Sequence, residues 1–155
     1  MREVEVYRPI VSFLDSNTTV HFTTELATNA GESEDLDGLK CNGIIINTVI
    51  LQSKQNLSWD LYFFRTSGQE DTDLDLDTFI EKVEFNAVYG KQIAGSGQYY
   101  YNWASLSIPY RDDNIKCQLH CKLVNRSATS KTAGVNGAVK LTIVYEPDGS
   151  KPGGV

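Results

Sequence analysis

Only two histidines, His21 and His120, occur in the 155 residues, and the cysteines number three, Cys41, Cys117 and Cys121. A Ser-His-Asp or Cys-His site must therefore recruit one of two imidazoles. His21 lies in "TVHFTTE" with no acid nearer than Glu25, and His120 belongs to a segment carrying Lys116 and Lys122. The chain has no Gly-x-Ser-x-Gly elbow, no phosphate-cradling glycine loop and no paired-cysteine zinc motif. Acids are abundant, but abundance singles out no acid–base pair. The expectation is a protein that performs no catalysis and carries no cofactor.

Basic clusters are also missing. Fourteen Lys and Arg residues against twenty Asp and Glu give a formal charge of −6. Affinity for nucleic acid and for anionic membranes rests mainly on basic charge, so neither is an expected partner. The longest apolar runs, such as "GIIINTVIL", reach about nine residues and are too short to span a bilayer. The first twenty residues hold acids and a proline where a secretory signal needs an uninterrupted apolar stretch, which predicts a chain made without export. Sequons at Asn17, Asn56 and Asn125 then read as chance matches.

The odd cysteine count argues against a disulfide framework. In "IKCQLHCKLVN" the alternation places Ile115, Cys117, Leu119, Cys121 and Leu123 on one face, and Lys116, Gln118, His120 and Lys122 on the solvent face. Four residues of regular strand separate the Cα atoms of Cys117 and Cys121 by about 13 Å, beyond the roughly 7 Å that a disulfide tolerates. Buried, reduced thiols are expected, with a bridge from Cys41 to one of the others as the exception.

Strand character fills the rest. Residues 4–13, 19–26, 41–53, 57–66, 82–88, 98–110, 115–125 and 138–146 are rich in Val, Ile, Thr and aromatics, and several alternate. Eight such segments predict an all-β chain folded as a two-sheet antiparallel β-sandwich, jelly-roll-like, over residues 1–146. Residues 1–13 could serve as an exchanging N-terminal strand or arm, and residues 147–155 read as a flexible tail. One short helix is expected at "LDTFIEKV", capped by Asp75 or Asp77. Residues 27–38 and 125–137 read as long polar loops.

Trp59, Leu61 and Phe63 share one face of "WDLYFF", and Val139, Leu141, Ile143 and Tyr145 share one face of the last strand. Tyr62 and Phe64 make the second face of the former strand too apolar for open solvent, which predicts a cover from a loop or a neighbouring subunit. "QYYYNWASLSIPY" crowds Tyr99, Tyr100, Tyr101 and Trp103 together, suited either to packing and subunit contact or to a ligand platform. Tyr62, Phe64, Tyr99, Tyr100, Tyr101 and Trp103 are the interface candidates.

"EDTDLDLDTF" places five carboxylates in eight residues. A calcium loop counted from Asp71 would need Gly at its sixth position and Glu at its twelfth, where the chain has Leu76 and Lys82. Asp71, Asp73 and Asp75 stay as candidates for an irregular Ca²⁺ site. The competing reading is a solvated acidic rim anchored by Leu74, Leu76 and Phe79.

The succession "WDLYFF", an Asp-rich loop with "DLDTFI", "VEF", a Tyr-bearing strand, "CKLVNRSAT" and "LTIVYE" resembles the small jelly-roll proteins of tailed bacteriophages. The likeness covers about residues 39–146. It implies a virion structural protein, a head decoration or virion surface subunit that self-associates, frequently as a homotrimer. Its expected partners are the major capsid protein or another virion component, and its expected location is the virion after synthesis in the host cytoplasm. It carries over no catalytic residue. A carbohydrate- or receptor-binding module, and a filament or tube subunit joined through strand edges, are the alternatives.

Overall fold

The computed structural model describes residues 19–66, 78–134 and 138–148. The expected arm at 1–13, the acids Asp71, Asp73 and Asp75, and the tail from 149 lie outside the described residues. Ten strands follow in order: β1 (Thr19–Phe22), β2 (Gly31–Leu36), β3 (Gly43–Ser53), β4 (Trp59–Phe64), β5 (Phe79–Phe85), β6 (Lys91–Ile93), β7 (Gln98–Trp103), β8 (Ile108–Arg111), β9 (Leu119–Asn125) and β10 (Val139–Pro147). A 3-10 turn at Ala87–Tyr89 follows β5, with the Asn86 side chain accepting from the Val88 N–H at 2.9 Å.

One sheet has the order β1-β10-β3-β7-β6, with β8 also paired to β3, and the other has the order β2-β9-β4-β5. Every pairing of these strands is antiparallel. Successive strands cross between the two sheets, save for the β4–β5 hairpin and the β6–β8 run, and this is the winding of a jelly roll. The predicted sandwich is therefore the observed architecture.

The core fills the space between the sheets. Trp59, Leu61 and Phe63 from β4 meet Leu119, Cys121 and Leu123 from β9, and across them Val139, Leu141, Ile143 and Tyr145 from β10. Truncating a fully buried aromatic such as Phe63 to Ala costs about 3–5 kcal/mol. In β3 the buried set runs Ile44, Ile46 and then Val49, Leu51, so the alternation slips by one residue. The slip is a bulge: Tyr145 faces Ile46 while Val144 faces Thr48, leaving Asn47 unmatched. Its carbonyl accepts the Leu106 N–H at 2.8 Å, so the extra residue leaves no orphaned acceptor there.

Four expectations require correction. Residues 31–36, read as loop, form β2, because β9 supplies a full ladder to a segment with little strand propensity of its own. The helix expected at "LDTFIEKV" is absent, since β5 runs through Phe79–Phe85 and pairs along β4. The run 98–110 is two strands, broken where Ser105 takes a positive φ of 58°. The strand read from 115 begins at Leu119: Ile115 and Cys117 have φ of 56° and 55° and form a turn.

Candidate functional site

His120, expected in solvent, is 1% exposed on the outer face of the β2-β9-β4-β5 sheet. Its Nδ1 lies 2.7 Å from Asp35 Oδ1 on β2, and its Nε2 lies 3.0 Å from Asp112 Oδ1 in the turn after β8. Asp112 is equally buried, and its two oxygens also accept the backbone N–H groups of Asn114, Lys116 and Gln118 at 3.0–3.2 Å. Burial works against ionisation of Asp112, but His120 and the three amides outweigh it and hold its pKa below the usual carboxylate range. The Tyr110 hydroxyl donates to the Gln118 carbonyl at 2.8 Å and accepts the His120 N–H at 2.9 Å, while burial pushes its pKa up. Both imidazole nitrogens are thus engaged with carboxylates, and the ring is closed to solvent. This constellation ties β2, β9 and the 112–118 turn together.

On the same outer face Tyr62, Phe64 and Val124 form a hydrophobic cluster separate from the main core. Phe79 packs on it, with ring centroids 6.2 Å from both Tyr62 and Phe64. Arg126 closes one end, donating from Nε to Asp60 at 2.6 Å, from an Nη to the Tyr62 hydroxyl at 2.8 Å and from the other Nη to Asn29 at 3.0 Å. Tyr62 and Phe64 are covered within the chain, so they have little surface to offer a neighbour. Tyr101 is buried too, its hydroxyl donating to Asn56 at 2.5 Å with burial pushing its pKa up to about 12. Tyr99 and Tyr100 are half-buried, and Trp103 is 47% exposed.

The exposed large apolar side chains among the described residues are Phe79, Val88, Tyr89, Trp103 and Ile115. All but Ile115 lie along one edge: Phe79 opens β5, Val88 and Tyr89 follow it in the 3-10 turn, and the Trp103 indole N–H donates to the Glu84 carbonyl on β5 at 2.5 Å. Sequence reasoning missed Val88 and Tyr89, which sit in "NAVYGK" without periodicity. In a strand, one residue's N–H and C=O point to the same side, so Glu84 and, two residues away, Lys82 direct their backbone groups outward. The Lys82 N–H is taken by Glu81 at 3.0 Å. Two outward groups of this edge, the Glu84 carbonyl and the Lys82 N–H, are thereby occupied by the chain's own residues.

A groove of about 500 Å³ opens at the Val88 end, lined among others by Phe85, Tyr89, Lys91, Tyr101, Asn102 and Trp103. A second hollow of about 340 Å³ shares Phe85, Asn86, Tyr89 and Trp103 with it and extends to Asp60, Glu84 and Arg126. The groove follows the edge of β7 beyond the point where β6 ends, the last pair being Lys91 with Tyr100.

No cluster of three or more His, Cys, Asp or Glu suited to a metal occurs among the described residues. All three cysteines are free, so Cys41 forms no bridge. Burial pushes the thiols of Cys41 and Cys121 up, away from the thiolate form that reacts. No helix among the described residues is long and apolar enough to cross a membrane.

No protein-family model matches the chain, and no curated protein matches it. Among solved structures, the chain is similar to one from the infectious bursal disease virus Gx strain, at TM-score 0.40 and 13% identity. The alignment covers 96% of this chain and 34% of that one, so the chain spans about a third of its length.

Proposed function

We propose that the chain is a non-enzymatic structural subunit of a phage-like particle, of the head-decoration or virion surface kind, which self-associates as a trimer and attaches to the capsid lattice. The observation that carries this reading is the apolar strip along β5, where four of the five exposed large apolar side chains gather. Val88, Tyr89 and Trp103 meet at one end of it and Phe79 lies at the other, and a group of exposed apolar side chains of this kind marks an interaction site more often than chance scatter does. Two further features support binding over chemistry. The buried His120 is fully engaged by Asp35 and Asp112, and jelly rolls are an architecture that viral capsid domains use. The sequence resemblance supplies the trimer and the capsid partner.

Size-exclusion chromatography with light scattering tests the reading. The wild-type chain should run as a trimer, and Val88→Glu, which sets a charge at the 82% exposed residue of the strip, should give a monomer with an unchanged circular-dichroism spectrum. A wild-type monomer at high concentration that purified particles also fail to retain would overturn it.

A further inference from the structure

We propose that the groove between the 3-10 turn and the free edge of β7 is a binding site for an acidic oligosaccharide, with its sugar rings against Tyr89 and Trp103 and a carboxylate-bearing substituent at Lys91. The inference rests on reading the chain as a displayed binding subunit, and it assigns the concave end of the strip a ligand of its own, leaving the rest of the strip to a neighbouring subunit.

The lining has three components. Tyr89 is 74% exposed and Trp103 47%, so flat ring faces are open to ligand while the indole is held in place by its bond to Glu84. Such rings offer apolar area with little rotamer freedom to lose. Next come amides. Among the described residues the Asn102 side chain makes no hydrogen bond, and Asn86 spends only its oxygen, on Val88, which leaves its NH₂ group to donate. A planar amide that both donates and accepts matches vicinal hydroxyls. The edge adds to this, since no strand pairs Asn102 or Trp103 on the groove side. One of the two directs its N–H and C=O to that side, too little for an added peptide strand but enough for a hydroxyl group.

Charge selects within the sugars. No acidic residue lines the groove itself, and in the adjoining hollow Glu84 is paired with Lys82 and Asp60 with Arg126. Lys91 does line it, its ammonium lying 5.9 Å from the Tyr100 ring centroid and making no ion pair among the described residues. An unpaired cation on an aromatic wall, in an acid-free hollow, is complementary to a sugar carboxylate. The volume, about 500 Å³, falls in the range of small-ligand sites.

Isothermal titration calorimetry with trigalacturonic acid and with the neutral maltotriose tests the assignment. The acidic sugar should bind at least tenfold tighter, and Lys91→Gln should abolish that preference. Tyr89→Ala and Asn102→Ala, both at exposed positions, should each weaken binding tenfold or more without moving the melting temperature. Absence of binding to either sugar, equal binding that Lys91→Gln leaves unchanged, or binding of a proline-rich peptide in place of both would overturn the proposal. If the sugars fail while Val88→Glu still dissociates a trimer, the glycan site falls and the structural-subunit reading stands. If the acidic sugar binds a wild-type chain that is monomeric and not retained by particles, the reverse holds.

Discussion

Replacing Asp112 by Asn should be among the most damaging single-atom changes available in this fold. The carboxylate accepts from the His120 imidazole and the Asn114 N–H through Oδ1, and from the Lys116 and Gln118 N–H groups through Oδ2. Asparagine has one acceptor oxygen, so its NH₂ group must face donors on one side. At least two hydrogen bonds to a charged acceptor are lost in a buried site, and breaking such buried charged pairing costs about 3–5 kcal/mol. For a chain of this size each kcal/mol moves the melting temperature by roughly 2–4 °C, so a drop of roughly 6–20 °C is expected by differential scanning calorimetry. The pH dependence sharpens the test. Because the folded pKa of Asp112 lies below its unfolded value, the unfolded chain binds more protons between the two, and this stabilisation is fully present above about pH 4 and fades as pH falls through the folded pKa. Asp112→Asn should flatten that part of the acid profile. A variant melting within about 3 °C of wild type at pH 7, with an unchanged acid profile, would refute the assignment of Asp112 as the anchor of this turn.

Gly90→Ala places a Cβ against Asn56 Oδ1 and 2.8 Å from Tyr101 Cε1, displacing both members of the Tyr101–Asn56 hydrogen bond. A loss of about 1–3 kcal/mol in urea unfolding is expected, and a neutral outcome would show that the Asn56 loop yields freely. Arg126→Lys keeps the charge but cannot reach Asp60, Tyr62 and Asn29 together. It should cost about 1 kcal/mol, recovered little by added salt, because the geometry of the fork and not its charge is what is lost.

The strands whose apolar residues pack the core were legible from the sequence. Trp59, Leu61 and Phe63 on β4, and Val139 to Tyr145 on β10, lie on the faces their alternation assigns. In β9 the phase of Leu119, Cys121 and Leu123 also held, but extending it back to Ile115 failed because an Asp112-centred turn with two positive φ angles interrupts it. The reading of "GESEDL" as loop failed for a different reason. An edge strand can be held by its neighbour's ladder and by single contacts, here Leu36 in the core and the Glu32 carboxylate accepting the Thr23 and Thr24 N–H groups at 3.0 and 2.6 Å. His120 was misplaced because alternation says which face a residue occupies and not what covers that face. Its partner Asp35 is 85 positions away in sequence, a separation no local pattern reports. The rim was half visible: aromatic density announced Trp103, whereas Val88 and Tyr89 gain their meaning only from the turn that swings them beside it.

The occupied edge of β5 bears on how copies of this chain can be joined. Sheets that lengthen end to end need free backbone groups, and here the Glu84 carbonyl and the Lys82 N–H are already engaged by Trp103 and Glu81. At the opposite end of that sheet, β2 carries Glu34 and Asp35, whose like charges would meet in a second copy paired there, while Glu32 is buried and bonded to the Thr23 and Thr24 N–H groups. Strand β6, at one end of the other sheet, is three residues long. The described sheet borders thus carry little free template, because engaged groups on β5, like charges on β2 and the brevity of β6 each disfavour adding a strand by hydrogen bonding.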